Sequence, residues 1–175
     1  MSAPETDPEL SLSDVVSEGD IVFLTSAVHG RTPTGELLDK PSLEARPITC
    51  IDVVGDRVTA LVSASADWVR DLSAESQVVA TRDHGGRYVA LSGTATTSDD
   101  RARIEGYWSR LGDAWFYGPD DPDVRILDVE VDGGEWWHTP TSGVGTALSL
   151  VGTIVLGRPA ATGSRGTVTT ASDAS

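Results

Sequence analysis

The sequence predicts an α+β domain built on an antiparallel β-barrel of about six strands with short flanking helices. Three observations support this fold class: six short runs rich in β-branched and aromatic residues, turn signals that join two pairs of these runs as hairpins, and only short helical patterns between them. A chain of 175 residues is long enough to bury about 70% of its unfolded surface in one domain.

The first half of the chain supplies three of the predicted strands. Residues 20–25 form the first, and a turn rich in Gly and Pro leads to a second over residues 43–54. The Gly55-Asp56 pair predicts a hairpin into a third strand over residues 57–62. Residues 66–72 place apolar side chains three apart, which is typical of a short helix.

The second half supplies the other three strands. Residues 77–81 and 87–97 alternate as strands, and the Gly-containing turn at 82–86 predicts a second hairpin. Ser98, Asp99 and Asp100 can cap a helix that we expect to run to about Phe116, with Trp108 and Trp115 on its apolar, core-facing side. Residues 124–131 form the last strand candidate.

The ends of the chain have a different composition. Residues 1–10 are acidic with two prolines and are expected to be disordered, residues 11–157 form the domain, and residues 158–175 are predicted to be a flexible tail. The N-terminus has neither a positive start nor an apolar core, so we expect a cytoplasmic protein. The apolar run 144–156 is too short for a bilayer core of about 30 Å, and we interpret it as a packed or dimer-facing segment.

Charge and cysteine content exclude several classes of function. Asp and Glu number 27 against 13 Lys and Arg, a formal net charge of -14, which disfavours binding to nucleic acid or to an anionic membrane. Cys50 is the single cysteine and is interpreted as a buried hydrophobe. No histidine shares a metal-ligand spacing with a cysteine or carboxylate, so we expect no metal site.

Five segments together resemble the general stress protein branch of the pyridoxamine 5'-phosphate oxidase-like family. They are RYVALSGTATTSDDR at 87–101, RIEGYW at 103–108, AWFYGPDDPD at 114–123, VEVDGGEWWH at 129–138 and EARP at 44–47. The resemblance covers roughly residues 12–157. It implies an FMN-binding split barrel that forms a homodimer, with two flavin mononucleotide sites in clefts between the subunits.

The resemblance also implies a set of cofactor-binding residues. Arg46 is expected near the flavin phosphate or ring, the segment from Leu61 to Ser65 along the cofactor, and Trp137 against the isoalloxazine ring from the partner chain. The implied cofactor-binding residues are Arg46, Pro47, Ile48, Val62, Ser63, Ser65, Trp68 and Trp137.

The short helix departs from the family pattern. Where the family usually has a hydroxyl residue and a lysine that grip the phosphate, this sequence has Ala66 and Trp68. A tryptophan removes the charge that a phosphate dianion would use, although the hydroxyls of Ser63 and Ser65 remain as donors. Trp68 is expected either to stack on a cofactor ring or to pack on the barrel or the dimer partner.

No catalytic side chain is evident, and Asp120, Asp121 and Asp123 are interpreted as loop and capping residues. A bound flavin would perform the chemistry itself, so the first hypothesis is a flavin-dependent oxidoreductase or flavin reductase that accepts hydride from a nicotinamide. The alternative is a non-catalytic, stress-related dimeric module that binds flavin or another planar ligand. A deazaflavin-dependent relative is a third hypothesis. Oxidation of pyridoxamine phosphate itself is not expected, because the Arg and His motif for the substrate phosphate is missing after Trp137.

Overall fold

A computed structural model of the chain describes residues 9–30, 34, 36, 40–72, 76–84, 86–108, 115–138 and 164–170. Within these residues the chain forms nine strands and three short helices. In chain order they are β1 (Leu10–Ser11), α1 (Leu12–Val15), β2 (Ile21–Val28), β3 (Ser42–Thr49), β4 (Asp52–Val54), β5 (Arg57–Ser63), α2 (Asp67–Asp71), β6 (Ser76–His84), β7 (Arg87–Ser98), α3 (Arg101–Tyr107), β8 (Val124–His138) and β9 (Ser164–Thr169).

The strands form one open, mostly antiparallel sheet. Its main order is β1-β9-β8-β7-β6-β2-β3, and β5 pairs with both β4 and β8. All of these pairs are antiparallel except β1 with β9. This arrangement confirms the predicted fold class of an antiparallel sheet with short helices.

The long strand β8 connects two parts of the sheet. Its first half pairs with β5 and its last five residues pair with β9, while β7 pairs with it from Ile126 to His138. A bulge between Ser92 and Gly93 lies where the second partner of β8 changes from β5 to β9. A side chain at Gly93 would collide with the backbone carbonyl of Glu130, so this position requires glycine.

Both predicted hairpins are confirmed. Gly55 lies between β4 and β5 with a φ of 60°, and Gly86 lies between β6 and β7 with a φ of 86°, a region that glycine adopts without steric cost. The short helix predicted over residues 66–72 is also present as α2, which begins one residue later and ends one residue earlier.

Three predictions about element boundaries are wrong. The strand expected over residues 43–54 is two strands, because the chain leaves β3 at Cys50 and starts a separate pairing with β5 at Asp52. The helix expected to reach Phe116 ends at Tyr107, because Trp108 is extended with a ψ of 127°. The last predicted strand, 124–131, continues to His138 through its paired glycines.

The predicted tail is wrong for residues 164–169, which form β9. This strand pairs with the end of β8 on one side and with β1 on the other. Val168 is buried in the core, which supplies the apolar contact that the small, polar composition of the tail concealed. Residues 1–8 and the apolar run 144–156 lie outside the described residues.

One face of the sheet carries the core. Along β2, side chains alternate between exposed and buried, so that Val22, Leu24, Ser26 and Val28 point inward. Helices α1 and α2 cover part of this inner face with Leu12, Val15 and Val69. None of the helices in the described part of the chain has the length and apolar character needed to cross a membrane.

Candidate ligand-binding site

A cavity of about 300 Å³ lies where the end of β3, strand β5 and helix α2 meet the segment at residues 115–116. Most of its lining is aliphatic or aromatic, and the described lining residues include no Lys, Arg, Asp or Glu. The lining residues are Pro47, Ile48, Thr49, Ile51, Leu61, Val62, Ser63, Ala66, Trp68, Trp115 and Phe116. Such a surface suits the face of a planar, apolar ring.

Five of the eight residues predicted to bind the cofactor line this one cavity. They come from three elements that are distant in the sequence: Pro47 and Ile48 from β3, Val62 and Ser63 from β5, and Trp68 from α2. The structure therefore brings together most of the predicted set. Contact of these residues with a flavin stays a prediction.

Arg46 contacts the cavity-lining residue Trp68. Its guanidinium carbon lies 4.6 Å from the centroid of the Trp68 ring, within the range of a cation–π contact. Its two terminal nitrogens donate to Ser26 Oγ at 2.7 Å and to the Glu44 carbonyl oxygen at 2.8 Å. Burial lowers the pKa of Arg46, and the nearby Glu44 carboxylate opposes that shift. Arg46 thus holds the Trp68 ring in place and does not line the cavity.

Ser63 and Ser65 bind an internal carboxylate at the edge of the cavity. Asp123 accepts hydrogen bonds from Ser63 Oγ, from Ser65 Oγ at 3.1 Å and from the Ser65 backbone N–H at 2.7 Å. The hydrogen bond from Ser63 is the main reason why the pKa of Asp123 is lowered. The carboxylate is therefore ionised at neutral pH.

Trp137 lies away from the cavity of its own chain. It belongs to the outer face of the sheet, opposite Tyr88 on β7 and Arg165 on β9, and 37% of its surface is exposed. Within one chain the structure does not bring Trp137 together with the other predicted residues. Its predicted contact from a partner chain remains a prediction.

Sequence reasoning missed part of the site. Trp115 was assigned to the core side of a helix, but it is 80% exposed and lines the cavity together with Phe116. Asp123 was interpreted as a loop and capping residue, and it does lie in a loop, but no pattern in the sequence indicated its hydrogen bond with Ser65, which is 58 positions away. The adjacent aromatic residues Trp115 and Phe116 were the one sequence signal for this side of the cavity. No local spacing links Asp123 to the serines.

The described residues offer little chemistry of their own at this cavity. Thr49 and Ser63 supply its hydroxyl groups, and no histidine, cysteine or carboxylate belongs to the described lining. Acid–base or nucleophilic catalysis needs such a group within hydrogen-bond reach of the reacting atom. The described lining suits the binding and orientation of a planar ligand.

Comparison with solved structures finds the same fold in bacterial stress proteins. The general stress FMN/FAD binding protein of Xanthomonas citri superposes with a TM-score of 0.55 at 21% identity, over 71% of this chain and 83% of that chain. A Clostridium acetobutylicum protein related to general stress protein 26, of the pyridoxinephosphate oxidase family, gives a TM-score of 0.55 at 18% identity, over 67% and 79%. A Jannaschia sp. CCS1 protein named for general stress protein 26 gives 0.54 at 23% identity, over 85% and 89%.

These similarities show the fold class: an open antiparallel sheet, consistent with the split barrel that the resemblance implied. Residues 36–160 match the family model described as pyridoxamine 5'-phosphate oxidase like, which is well over half of the chain. The chain therefore belongs to that family, as its motifs predicted. A search of curated proteins found no match.

Proposed function

We propose that this member of the pyridoxamine 5'-phosphate oxidase-like family is a flavin-binding protein whose cavity holds the isoalloxazine ring. The observation that carries the proposal is the apolar cavity bounded by Trp68, Phe116 and the aliphatic residues of β3 and β5. Its volume of about 300 Å³ is at the lower end of the range of small-molecule sites, which suits a ring system more than a complete dinucleotide.

The residues fit the ring of a flavin mononucleotide better than its phosphate. The apolar lining and the Trp68 face match a planar aromatic ligand. At the polar edge, however, the donors of Ser63 and Ser65 are already taken by the Asp123 carboxylate. A bound flavin supplies hydride and electron transfer by itself, while the chain binds and orients the ring and excludes water from it.

Oxidoreductase activity on a small molecule, with a nicotinamide as hydride donor, is the activity that we propose for such a complex. The alternative function is a non-catalytic module that binds flavin or another planar ligand. Trp68, in place of the lysine that the resemblance implies, favours the alternative, because it removes the charge that would hold a phosphorylated cofactor. A small-molecule or nicotinamide substrate and the cytoplasmic location stay predictions.

We also propose that the protein is a homodimer, paired through the outer face of the sheet. This outer face is defined by Ile21 and Phe23 of β2, Leu43 and Pro47 of β3, Val79 of β6, Tyr88 of β7 and Trp137 of β8. Phe23 is 51% exposed and lies between Pro47 and Thr81 in the register. Apolar surface of this extent is typical of an interface between chains.

A second copy is the occupant that fits this face best. Pro47 belongs both to the outer face and to the cavity lining, so a partner packed there would reach the cavity. Trp137 lies on the same face of the sheet, which is consistent with its predicted role against the partner's ligand. Glu135 and Arg165, also on this face, offer charges of opposite sign for a self-complementary contact.

The dimer is tested by light scattering after size-exclusion chromatography. The wild type is expected to elute at twice the 18.4 kDa chain mass, and Phe23→Glu to shift it towards the monomer because it places a charge in the apolar contact. Val54→Glu is the matched control, since Val54 is exposed on β4, a strand that supplies none of the residues that define this face. A monomeric wild type would contradict the proposal.

Flavin binding is tested by titrating the purified, ligand-free protein with riboflavin and following the quenching of tryptophan and flavin fluorescence. Ala66→Phe fills the cavity and is expected to abolish saturable binding. Ala102→Phe, at an exposed position of α3, is the matched control and is expected to bind like the wild type. Circular dichroism checks that both variants are folded. Equal binding by Ala66→Phe and the wild type would contradict the location of the site.

A further inference from the structure

We propose that the Asp123 carboxylate closes the polar edge of the cavity to phosphate, so that the site selects an uncharged planar ligand of the riboflavin type over a phosphorylated one such as FMN. This inference rests on the proposed flavin-binding function and narrows it to one class of flavin. Four arguments support it. The hydroxyl donors of Ser63 and Ser65 are already used, the loop that carries Asp123 is held in place, the Asp123 charge is weakly balanced, and a phosphate at this edge would be repelled.

The hydroxyl donors at this edge are already used. Ser63 Oγ and Ser65 Oγ lie 2.8 Å apart, and both lie within hydrogen-bond distance of the same Asp123 oxygen, Oδ2. A serine hydroxyl carries one hydrogen. The backbone N–H of Ser65 is bound to the other carboxylate oxygen, at 2.7 Å. An incoming anion would therefore find these three donors occupied by an anion that belongs to the protein.

Asp123 is held in this position from both sides. The backbone N–H of Ala64 donates to the Asp123 carbonyl oxygen at 2.7 Å, and the Asp123 N–H donates to Asp121 Oδ1 at 2.9 Å. Arg101 in turn binds the Asp121 carbonyl oxygen at 2.8 Å. The backbone of the loop that carries Asp123 is thus tied to the residue after β5 and to α3. A ligand could displace the carboxylate itself only by breaking its hydrogen bonds with the two serines.

The charge of Asp123 is only weakly balanced. The pKa of Asp123 is lowered mainly by neutral donors, and the guanidinium of Arg125 is the weakest contribution. Arg125 Nη1 donates to the carbonyl oxygens of Pro122 and Val124. Arg46 is bound to Ser26 and Glu44. Among the described lining residues no Lys or Arg offers a contact to phosphate.

Two other carboxylates lie near the cavity, and each is paired with an arginine. Glu44 and Asp67 line a second depression that shares Trp68 with the cavity. Each is next to one arginine, Arg46 and Arg70 respectively, so these two pairs add no net positive charge. The chain as a whole carries a formal charge of -14. A phosphate dianion at this edge would be repelled, whereas an uncharged ribityl chain would not.

The test compares the dissociation constants of riboflavin and FMN by fluorescence titration of the full chain. In the wild type riboflavin is expected to bind about tenfold or more tightly than FMN, because FMN loses charge-assisted contacts and meets a carboxylate. Asp123→Asn removes the charge and keeps the shape, so it should bring the two constants together. Asp120→Asn is the matched control: it makes the same change of charge at an exposed position of the same loop and should leave the ratio unchanged.

Each outcome decides between the two proposals. FMN binding as tightly as riboflavin, or more tightly, in the wild type would overturn this inference and leave the flavin-binding function intact. Saturation by neither flavin would overturn the proposed function, and this inference with it. If Asp123→Asn does not fold, the wild type still tests the inference by the dependence on salt: high ionic strength should reduce the preference for riboflavin, and a preference that does not change would contradict a Coulombic cause.

Discussion

Two aspartates near the start of β8, Asp123 and Asp128, lie five residues apart and have opposite surroundings. Asp128 is buried at 9% exposure on β8 and accepts two hydrogen bonds from the guanidinium of Arg103, at 2.8 and 3.0 Å. Asp123 lies in the loop just before β8 and is bound by serines. The comparison shows that one carboxylate is neutralised by a cation and the other only by neutral donors.

The Asp128 cluster has the character of a structural support. Thr59 of β5 donates to Asp128 Oδ1 at 2.8 Å, and Arg57 lies 3.8 Å from the same oxygen. Arg103 also lies over the Tyr107 ring, so the cluster fixes α3 against the sheet. Burial raises the pKa of Asp128, but the hydrogen bonds from Arg103 and Thr59 outweigh it and hold the pKa below its ordinary value. Glu130 lies 3.6 Å from Arg57, so the cluster holds two carboxylates and two guanidiniums and carries no net charge.

The Asp123 cluster has a different consequence. Serine hydroxyls and a backbone N–H stabilise a carboxylate without cancelling its charge, so the negative field remains at the edge of the cavity. The two clusters are therefore expected to respond differently to the same substitution. Removal of charge from Asp128 should act on stability, whereas removal of charge from Asp123 should act mainly on which ligand binds.

The largest expected effect is on stability, from Asp128→Asn. This variant leaves Arg103 without its carboxylate and is expected to lower the free energy of unfolding by about 2 to 3 kcal/mol. The loss stays below that of a fully buried pair because 33% of the Arg103 side chain is exposed to solvent. Urea denaturation of Asp128→Asn and Asp123→Asn measures the difference. A larger loss from Asp123→Asn would contradict the comparison.

An intermediate effect is expected from acid. The folded-state pKa of Asp128 lies below its ordinary value of 3.8, so its contribution to stability is complete above that pH and is lost as the pH falls through the folded-state pKa. The stability difference between the wild type and Asp128→Asn should therefore stay nearly constant from about pH 7 to about pH 4 and shrink as the pH falls further, through the folded-state pKa. Denaturation curves at several pH values measure this difference. A stability difference that grows in acid would contradict a lowered pKa of Asp128 in the folded protein.

The smallest expected effect comes from Ser65→Ala. This change removes one of three donors to Asp123 and leaves the carboxylate charge in place. The free energy of unfolding should fall by about 1 kcal/mol or less, and the preference for riboflavin over FMN should persist. Parallel denaturation and titration of this variant separate the hydrogen bond from the charge. Tight FMN binding by Ser65→Ala would show that the hydroxyl, rather than the charge, excludes phosphate.

The parts of the fold that local chemistry decides were predictable from the sequence. The hairpin at Gly55 follows from a turn that needs a positive φ, and the strand at β7 follows from side-chain alternation over its length. The end of α3 was not predictable in the same way. Helical periodicity continues past Tyr107, but the extended backbone of Trp108 ends the helix, and Trp108 packs with Phe116 at 6.4 Å.

Contacts between distant residues account for what the sequence did not reveal. β9 exists because it pairs with β1 and β8, and its own sequence of Ser, Arg, Gly and Thr has little apolar character. Five of the predicted site residues do line one cavity, because the resemblance identified the segments that meet there. The role of Asp123 at the cavity was not predictable, because it depends on a hydrogen bond with Ser63, which is 60 positions away in the sequence.

The most direct test of the central claim is a crystal structure of the protein grown with riboflavin. The ring is expected in the cavity against Trp68, with Pro47 and Val62 on its other edges, and with the ribityl chain free of any bond to Ser63 or Ser65. The hydrogen bonds from the two serines to Asp123 should persist in the complex. A ring bound elsewhere, or an Asp123 side chain displaced by the ligand, would contradict the proposed site.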